Sequence, residues 1–277
     1  MRIQNMFGLL ICGALFVSGF LINGHLGIYF NLSGLLIVIG GGFSATLVSY
    51  RPERLRIVWR VLRASYVPRR VAPLTLIETL VRLSIRSHLD GIGSLEEEES
   101  RIDDAFFRNA LETLVDGCDE REIRSVLDAE MHFFSLRRQY CEQVLRTTAE
   151  FFPSFGLIGS VVGLVAMLAG IEDPTTLLQT VPVALTSTLY GVVIANFLLL
   201  PFAAHLREHT EQELLLQELV TEGVIAIHSR VKPSVLERRL RSFLTPADRP
   251  AEHLSRRLLR DRAAGSPTQA RAAIRAV

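Results

Sequence analysis

The chain has 277 residues, is 49% hydrophobic, and carries 30 basic against 29 acidic side chains for a net charge of +1. A mean hydropathy of +0.29 is too high for an ordinary soluble protein with so many charges unless apolar and charged residues are segregated. Arg and Glu alternate through the same segments, so no basic face for nucleic acid forms. No Gly-rich phosphate loop, triad spacing or Cys/His zinc pattern points to an enzyme.

The segregation is complete. Residues 3–24, 25–50, 151–171 and 174–206 contain no Asp, Glu, Lys or Arg. About 20 apolar residues of helix cross a hydrocarbon core, so four spans are predicted: Ile3–Ile22, Leu32–Tyr50, Phe152–Ile171 and Val181–Ala204. The first is read as retained, because no small-x-small cleavage site follows it and a second span begins soon after. Arg-rich "RPERLRIVWRVLRASYVPRR" follows the second span and "HLREH" the fourth, whereas the connections "NGHLGIYFN" and "EDPTT" have no Lys or Arg. Basic flanks stay inside, which puts both termini and residues 51–150 in the cytoplasm.

The predicted fold is therefore an all-α integral membrane protein with four transmembrane helices in two hairpins and a helical cytoplasmic domain. The first hairpin takes residues 1–50, the cytoplasmic domain 51–150 and the second hairpin 151–204; cytoplasmic helices (205–244) and a flexible, Arg/Ala/Pro-rich tail (245–277) follow. Within the central region, "VAPLTLIETLVRLSIRSHL" and "DDAFFRNALETLVDG" read as amphipathic helices. Gly117 then terminates, and Asp119 with Glu122 forms a capping box. Apolar residues recur at Ile123, Val126, Leu127, Met131 and Phe134, close to a 3.6 period. With no Gly or Pro between Asp119 and Phe152, this helix is expected to run straight into the third span, and residues 120–170 would then reach ~75 Å.

The spans carry few groups that could do chemistry. In the third, Gly159 and Gly163 stand four apart with Ser160 beside them. In the fourth, Ala184, Ser187, Thr188, Gly191 and Ala195 share one face. Such faces let helices pack closely, and their hydroxyls either bond across the interface or line a wet path; the residues alone leave both open. No span contains an ionisable group, and Glu172 and Asp173 lie at the outer rim. Ion pathways through bilayers ordinarily contain one, so a carboxylate would have to come from another subunit. His205 and His209, with Glu208, have metal-like spacing but lack a third ligand, which favours a solvated helix face. Cys12, Cys118 and Cys141 have no metal or redox spacing and read as free thiols. The run Glu96–Glu99 is a solvated acidic patch or a docking site for a basic partner.

In order and spacing, "NLSGLLIVIGGGFSATLVSYRP", "DAFFRNALETLVDGCDEREIRSVLDAEM", "FPSFGLIGSVVGLVAML", "ALTSTLYGVVIANFLLLPFAAHL" and "EGVIAIHSRVKPSVLERRLRSFL" resemble the MotA/PomA flagellar stator family. ExbB and TolQ are more distantly similar. The resemblance implies a multi-pass protein of the bacterial inner membrane, forming a homo-oligomeric, pentameric ring around a MotB/PomB-type single-span subunit that carries the ion-binding Asp. No cofactor is implied, only a transported H⁺ or Na⁺. Ion flow would turn the ring, and its cytoplasmic helices would push on the rotor protein FliG. Pro153 and Pro201 match family prolines implicated in coupling conduction to motion; a proline frees a backbone carbonyl and permits a bend.

The same resemblance assigns Ser160, Ser187 and Thr188 to the ion path. Sodium-driven relatives have Thr at the first position and a Thr-Thr pair at the others, while several proton-driven relatives have Ala at the first. Ser160 is intermediate, and protons are the expected ion. Family rotor contacts use an Arg eight residues before a Glu. Aligned on Gly91, this chain has Glu96 at the acidic position and His88 at the basic one, with Arg86 two residues earlier as a substitute. The alternative readings are an ExbB/TolQ-like or gliding-type energising subunit, and a membrane scaffold that conducts nothing.

Overall fold

The computed structural model describes residues 29–66, 72–170 and 174–244, with single positions 11, 14, 18, 19 and 22 before them and 254, 255 and 258 after them. The predicted span Ile3–Ile22 falls mostly outside the described residues. Among those described, every element is helical and no strand occurs. In chain order the helices are α1 (Leu32–Ser49), α2 (Pro52–Ser65), α3 (Pro73–Asp90), a 3₁₀ turn (Ile92–Leu95), the single turn α4 (Glu96–Glu99), α5 (Ala105–Val115), α6 (Glu120–Ala169) and α7 (Pro174–Val193). A π-helical segment (Ile194–Leu199), α8 (Leu200–His228), α9 (Pro233–Leu240) and a second 3₁₀ turn (Arg241–Phe243) follow. The chain divides into two compact units, residues 1–68 with 137–209 and residues 69–136 with 210–277.

In the first unit the packing is inverted relative to a water-soluble protein. α1 buries Gly34, Val38, Gly42 and Thr46, a line at i, i+4. Its large apolar side chains face outward; Val48 is 89% exposed, and on α7 Leu185 is 70% exposed. Patches of that kind are costly in water and natural in lipid, where helices associate through small residues. Among the described residues, three helical runs are long and apolar enough to cross a membrane: Leu32–Ser49, Glu120–Ala169 and Thr180–His228. They overlap the second, third and fourth predicted spans. Asn31 caps α1 by accepting the Gly34 N–H at 3.0 Å. α2 buries Val58 and Leu62 in a cluster with Cys141, Val144 and Leu145 of α6 and Ala203 and Leu206 of α8, and Arg54 lies over the Tyr140 ring at 4.8 Å.

The second unit is packed in the conventional sense, around fully buried Ile77, Leu80, Phe107, Leu111, Ile123 and Leu219. Its local signals match the sequence. Gly91 (φ 85°) ends α3 and Gly117 (φ 79°) follows α5, both in the left-handed region that glycine tolerates. The capping box closes as predicted: Asp119 Oδ1 accepts the Glu122 N–H at 2.7 Å, and Glu122 Oε2 accepts the Asp119 N–H at 3.0 Å. α6 continues without a break for 50 residues. Arg124 of α6 and Arg239 of α9 both pair with Glu222 of α8, at 3.0 and 2.5 Å.

The tail from residue 245 is predicted to be loosely structured apart from one short helix near residues 253–262; of its described residues, Leu254 and Ser255 are buried, 6% and 2% exposed. Glu237 supplies the reason. Its carboxylate accepts the backbone N–H groups of Leu254 and Ser255 at 2.7 and 2.8 Å and the Ser255 hydroxyl at 2.6 Å. Apart from Leu258, the rest of the tail lies outside the described residues.

Candidate functional site: a hydroxyl pair in a glycine seam

α6 and α7 meet along a seam of glycines. A Cβ placed on Gly163 would lie 2.6 Å from the Ala184 nitrogen and 2.8 Å from its Cα; one on Gly156 would lie 3.0 Å from the Ser187 carbonyl oxygen. A Cβ on Gly159 would lie 2.7 Å from both Cβ and Oγ of Ser187, and one on Gly191 would strike the carbonyl of Phe152. At Gly159, Gly163 and Gly191 a Cβ would force something to shift, and at Gly156 it would be tight.

Within this seam the three predicted hydroxyls part company. Ser187 is fully buried. It donates to the Val183 carbonyl one turn back at 2.6 Å, and it is wedged between Gly159 and Gly34 of α1, where a Cβ would stand 2.6 Å from its Oγ. It fills the junction of three helices. Ser160 and Thr188 are only partly buried, and they bond to each other at 2.5 Å. Ser160 donates to the Ala184 carbonyl at 2.5 Å. A hydroxyl has one proton, so with Ser160 committed to Ala184 the pair is completed by Thr188 donating to Ser160. The Gly156 carbonyl, at 3.4 Å, is a second acceptor for the Thr188 proton. Thr188 thus keeps lone pairs for an incoming proton, water or small cation. Neither hydroxyl can hold a charge near neutral pH.

The predicted coupling prolines flank the seam. Pro153 lies inside α6 and leaves the Ala149 carbonyl without its i+4 donor. Next to it, the carbonyl of Phe152 is the atom against Gly191. Pro201 stands at the start of α8, directly after the π segment, whose last turn is closed by the Leu200 N–H on the Ala195 carbonyl. A π turn carries one residue more than an α turn. A proline at 201 cannot donate to the Phe197 carbonyl and crowds it, which fits a wider turn there.

Sequence reasoning missed two contacts. The Tyr190 hydroxyl accepts the Asn31 N–H at 2.7 Å and donates to the Tyr29 carbonyl at 2.5 Å, tying α7 to the start of α1. The available signal was a lone tyrosine in an otherwise aliphatic stretch. Thr46 and Thr148 meet across α1 and α6 at 3.4 Å: Thr148 donates to the Val144 carbonyl, and the single Thr46 proton is shared between the Gly42 carbonyl and Thr148.

The candidate rotor-contact residues lie in the second unit, apart in role. Arg86 is held by Glu97 at 2.8 Å and by the buried Glu98, which also pairs with Arg101 at 3.1 Å. His88 bridges two carbonyls, with Nδ1 3.0 Å from Ser84 O and Nε2 3.2 Å from Arg230 O. Glu96 is exposed. Arg86 therefore serves as an internal clamp on the acidic turn. Arg86→Ala is expected to destabilise this unit by ~1–3 kcal/mol, below the range for a fully buried pair because Arg86 retains some solvent; thermal melting of the purified chain checks this. His205 stacks on Tyr66 with centroids 4.4 Å apart, and its Nε2 lies 3.3 Å from the Ser65 carbonyl oxygen. Among the described residues no three His, Cys, Asp or Glu side chains gather as metal ligands.

Residues 98–218 match the MotA/TolQ/ExbB proton channel family. The chain is 33% identical to motility protein A of Borreliella burgdorferi over 86% of its own length and 91% of that protein. The chain belongs to this family. Motility protein A of Treponema pallidum is 31% identical over 94% of this chain and 100% of that protein. The flagellar MotAB stator complex from Bacillus subtilis contains a chain that superposes with a TM-score of 0.81 at 25% identity, covering 88% of this chain and 96% of that one. A chain of the C. jejuni MotAB structure superposes with a TM-score of 0.83, covering 90% and 98%; at 24% identity it speaks to the fold alone. The family's all-helical membrane architecture is thus the one found here.

Proposed function

We propose that this chain is the A subunit of an ion-driven stator, conducting protons together with a MotB-type subunit and turning the flagellar rotor. The observation that carries the reading is the Ser160–Thr188 pair, a polar step in a charge-free seam between membrane helices. Such a step relays or solvates an ion but cannot bind one by itself, and it needs a carboxylate from a partner helix. The similarity to stator complexes is the second support. In this reading the chain forms a homo-oligomeric ring in the bacterial inner membrane, with four spans, both termini and the second unit in the cytoplasm, and lipid against the outward apolar faces.

Liposomes holding this chain alone are expected to pass no ions, while co-reconstitution with the single-span partner should give flux that follows a proton gradient. Flux from the isolated chain would remove the shared-site model. Flux that needs sodium and ignores a proton gradient would change the ion to Na⁺.

The rotor partner is proposed to be FliG, with the exposed Glu96 making the contact, since Arg86 is engaged internally. Glu96→Lys should cut swimming severalfold without changing membrane levels of the protein, and His88→Ala should have little effect. Exposed charge contacts are individually weak, ~0.5–1 kcal/mol, so reversal is a better probe than deletion. Unchanged swimming in Glu96→Lys would shift the reading toward a gliding or transport stator.

A further inference from the structure

We propose that the outer face of α2 binds the headgroups of anionic phospholipids, in the leaflet where α1 leaves the membrane. Only Tyr50 and Arg51 separate α1 from α2, so α2 begins within one turn of that exit. Contacts along α6 give its direction. Arg54 lies over the Tyr140 ring at 4.8 Å, and at the other end of α2 the Ser65 hydroxyl accepts from Arg138 at 3.1 Å. Between them, Val58 and Leu62 are buried with Cys141, Val144 and Leu145. Going from residue 54 to 65 advances about 16 Å along α2, while going from 140 to 138 covers only about 3 Å of α6. A helix parallel to α6 would advance equally on both. α2 therefore crosses α6 at one level, and because α6 traverses the membrane, α2 runs along the membrane surface.

The side chains of α2 suit that place. Its buried line is Val58, Leu62 and Ser65. At about 100° per residue, the opposite face carries Arg56, Arg60 and Arg63, all exposed. Among the described residues, no side chain forms an ion pair with any of the three, and Glu53 is the one acid on the helix. Trp59 and Ile57 border the arginines, one on each side, and are 68% and 49% exposed. One border of a helix lying along the surface faces the bilayer, and here either border presents a large apolar side chain. A basic face edged by tryptophan is the make-up of helices that lie in the interface.

The headgroup chemistry follows from the arginines. Their planar forks pair with phosphate oxygens through two parallel hydrogen bonds. A zwitterionic headgroup carries its own ammonium group, which cancels much of the attraction; phosphatidylglycerol does not, and each arginine near such a surface adds to the binding. α2 also packs on Ala203 and Leu206 of α8, so headgroups that hold it steady the ends of two long helices. The inference rests on the membrane placement proposed above, and on neither ion conduction nor a rotor.

Trp59 is the chain's single tryptophan, so its emission reads α2 alone. The full chain is placed in phosphatidylcholine vesicles holding roughly one part in four phosphatidylglycerol. Bromine, a contact quencher of tryptophan, is carried on the acyl chains of the phosphatidylglycerol or of an equal amount of the phosphatidylcholine. Brominated phosphatidylglycerol should quench Trp59 about twofold more strongly or better at low salt. Salt at ~0.5 M should bring the two lipids to within about a fifth of each other. Arg56→Gln, Arg60→Gln and Arg63→Gln together should do the same at low salt. Equal quenching by the two lipids in the wild type at low salt would overturn the proposal, and so would a preference that survives salt, a reading that needs no variant to fold. No quenching by either lipid would overturn it too, leaving the face to water or to a second copy of the chain. Ion flux in the same vesicles, after the single-span partner is added, tests the stator reading separately: absent flux with the lipid preference intact counts against that reading alone.

Discussion

Cells whose only copy of this chain carries Gly163→Val are expected not to swim, and the variant is expected to melt at a clearly lower temperature than the wild type. A Cβ at this position meets the backbone of Ala184, at 2.6 Å from its nitrogen. Backbone cannot rotate away as a side chain tip can, so the helices must separate. Overpacking of this kind costs ~1–3 kcal/mol, and valine adds two methyls beyond the Cβ. Separation also pulls Ala184 and Thr188 from Ser160, so the hydroxyl pair is lost with the packing. Gly40→Ala is the control, since nothing lies within 4 Å of a Cβ there; it should swim normally. Normal melting and swimming in Gly163→Val would mean that α6 and α7 do not meet as described.

The second large effect is expected from Pro201→Ala. Removing the ring restores an N–H that can bond the Phe197 carbonyl, which allows the π turn to anneal into α-helix. Losing one extra residue from a turn rotates everything after it by about 100° relative to what precedes. α7 would then be out of phase with α8. The chain remains helical and inserted, so membrane levels and association with the partner should be near wild type while swimming speed falls at least fivefold. Pro153→Ala should act the same way but less strongly, because α6 has no π turn to anneal. Wild-type speed in both variants would remove the coupling role of the prolines.

The parts of the fold that were legible in the sequence are those written locally. Charge-free runs of sufficient length marked the three long apolar helical runs of the described residues. The Asp119–Glu122 box and the glycines at 91 and 117 marked helix ends, because capping and positive φ depend on three or four neighbours. The small-residue faces marked the seam. What they could not show is which hydroxyl faces where: Ser187 and Thr188 are adjacent in sequence, yet one fills a three-helix junction and the other stays open. That choice depends on Gly34 of α1, more than 150 residues away in the chain. The same holds for Arg86, whose partners lie across a tight turn, and for Glu237, which accepts from Leu254 and Ser255 beyond two prolines. The π segment gave no signal, since "IANFLL" reads as ordinary apolar helix and only the proline after it hints at a defect.

The two described cysteines differ in a way that matters for handling the protein. Cys141 is buried in the cluster between α2, α6 and α8, and burial raises its thiol above the ordinary range, so thiolate is scarce and access is closed. Cys118 is partly exposed and stands two residues before α6 begins. The 50-residue helix therefore comes with a native attachment point at one end and a silent thiol along its length. A fluorophore on Cys118 would report on the orientation of α6 in working motors without an engineered residue in the helix itself.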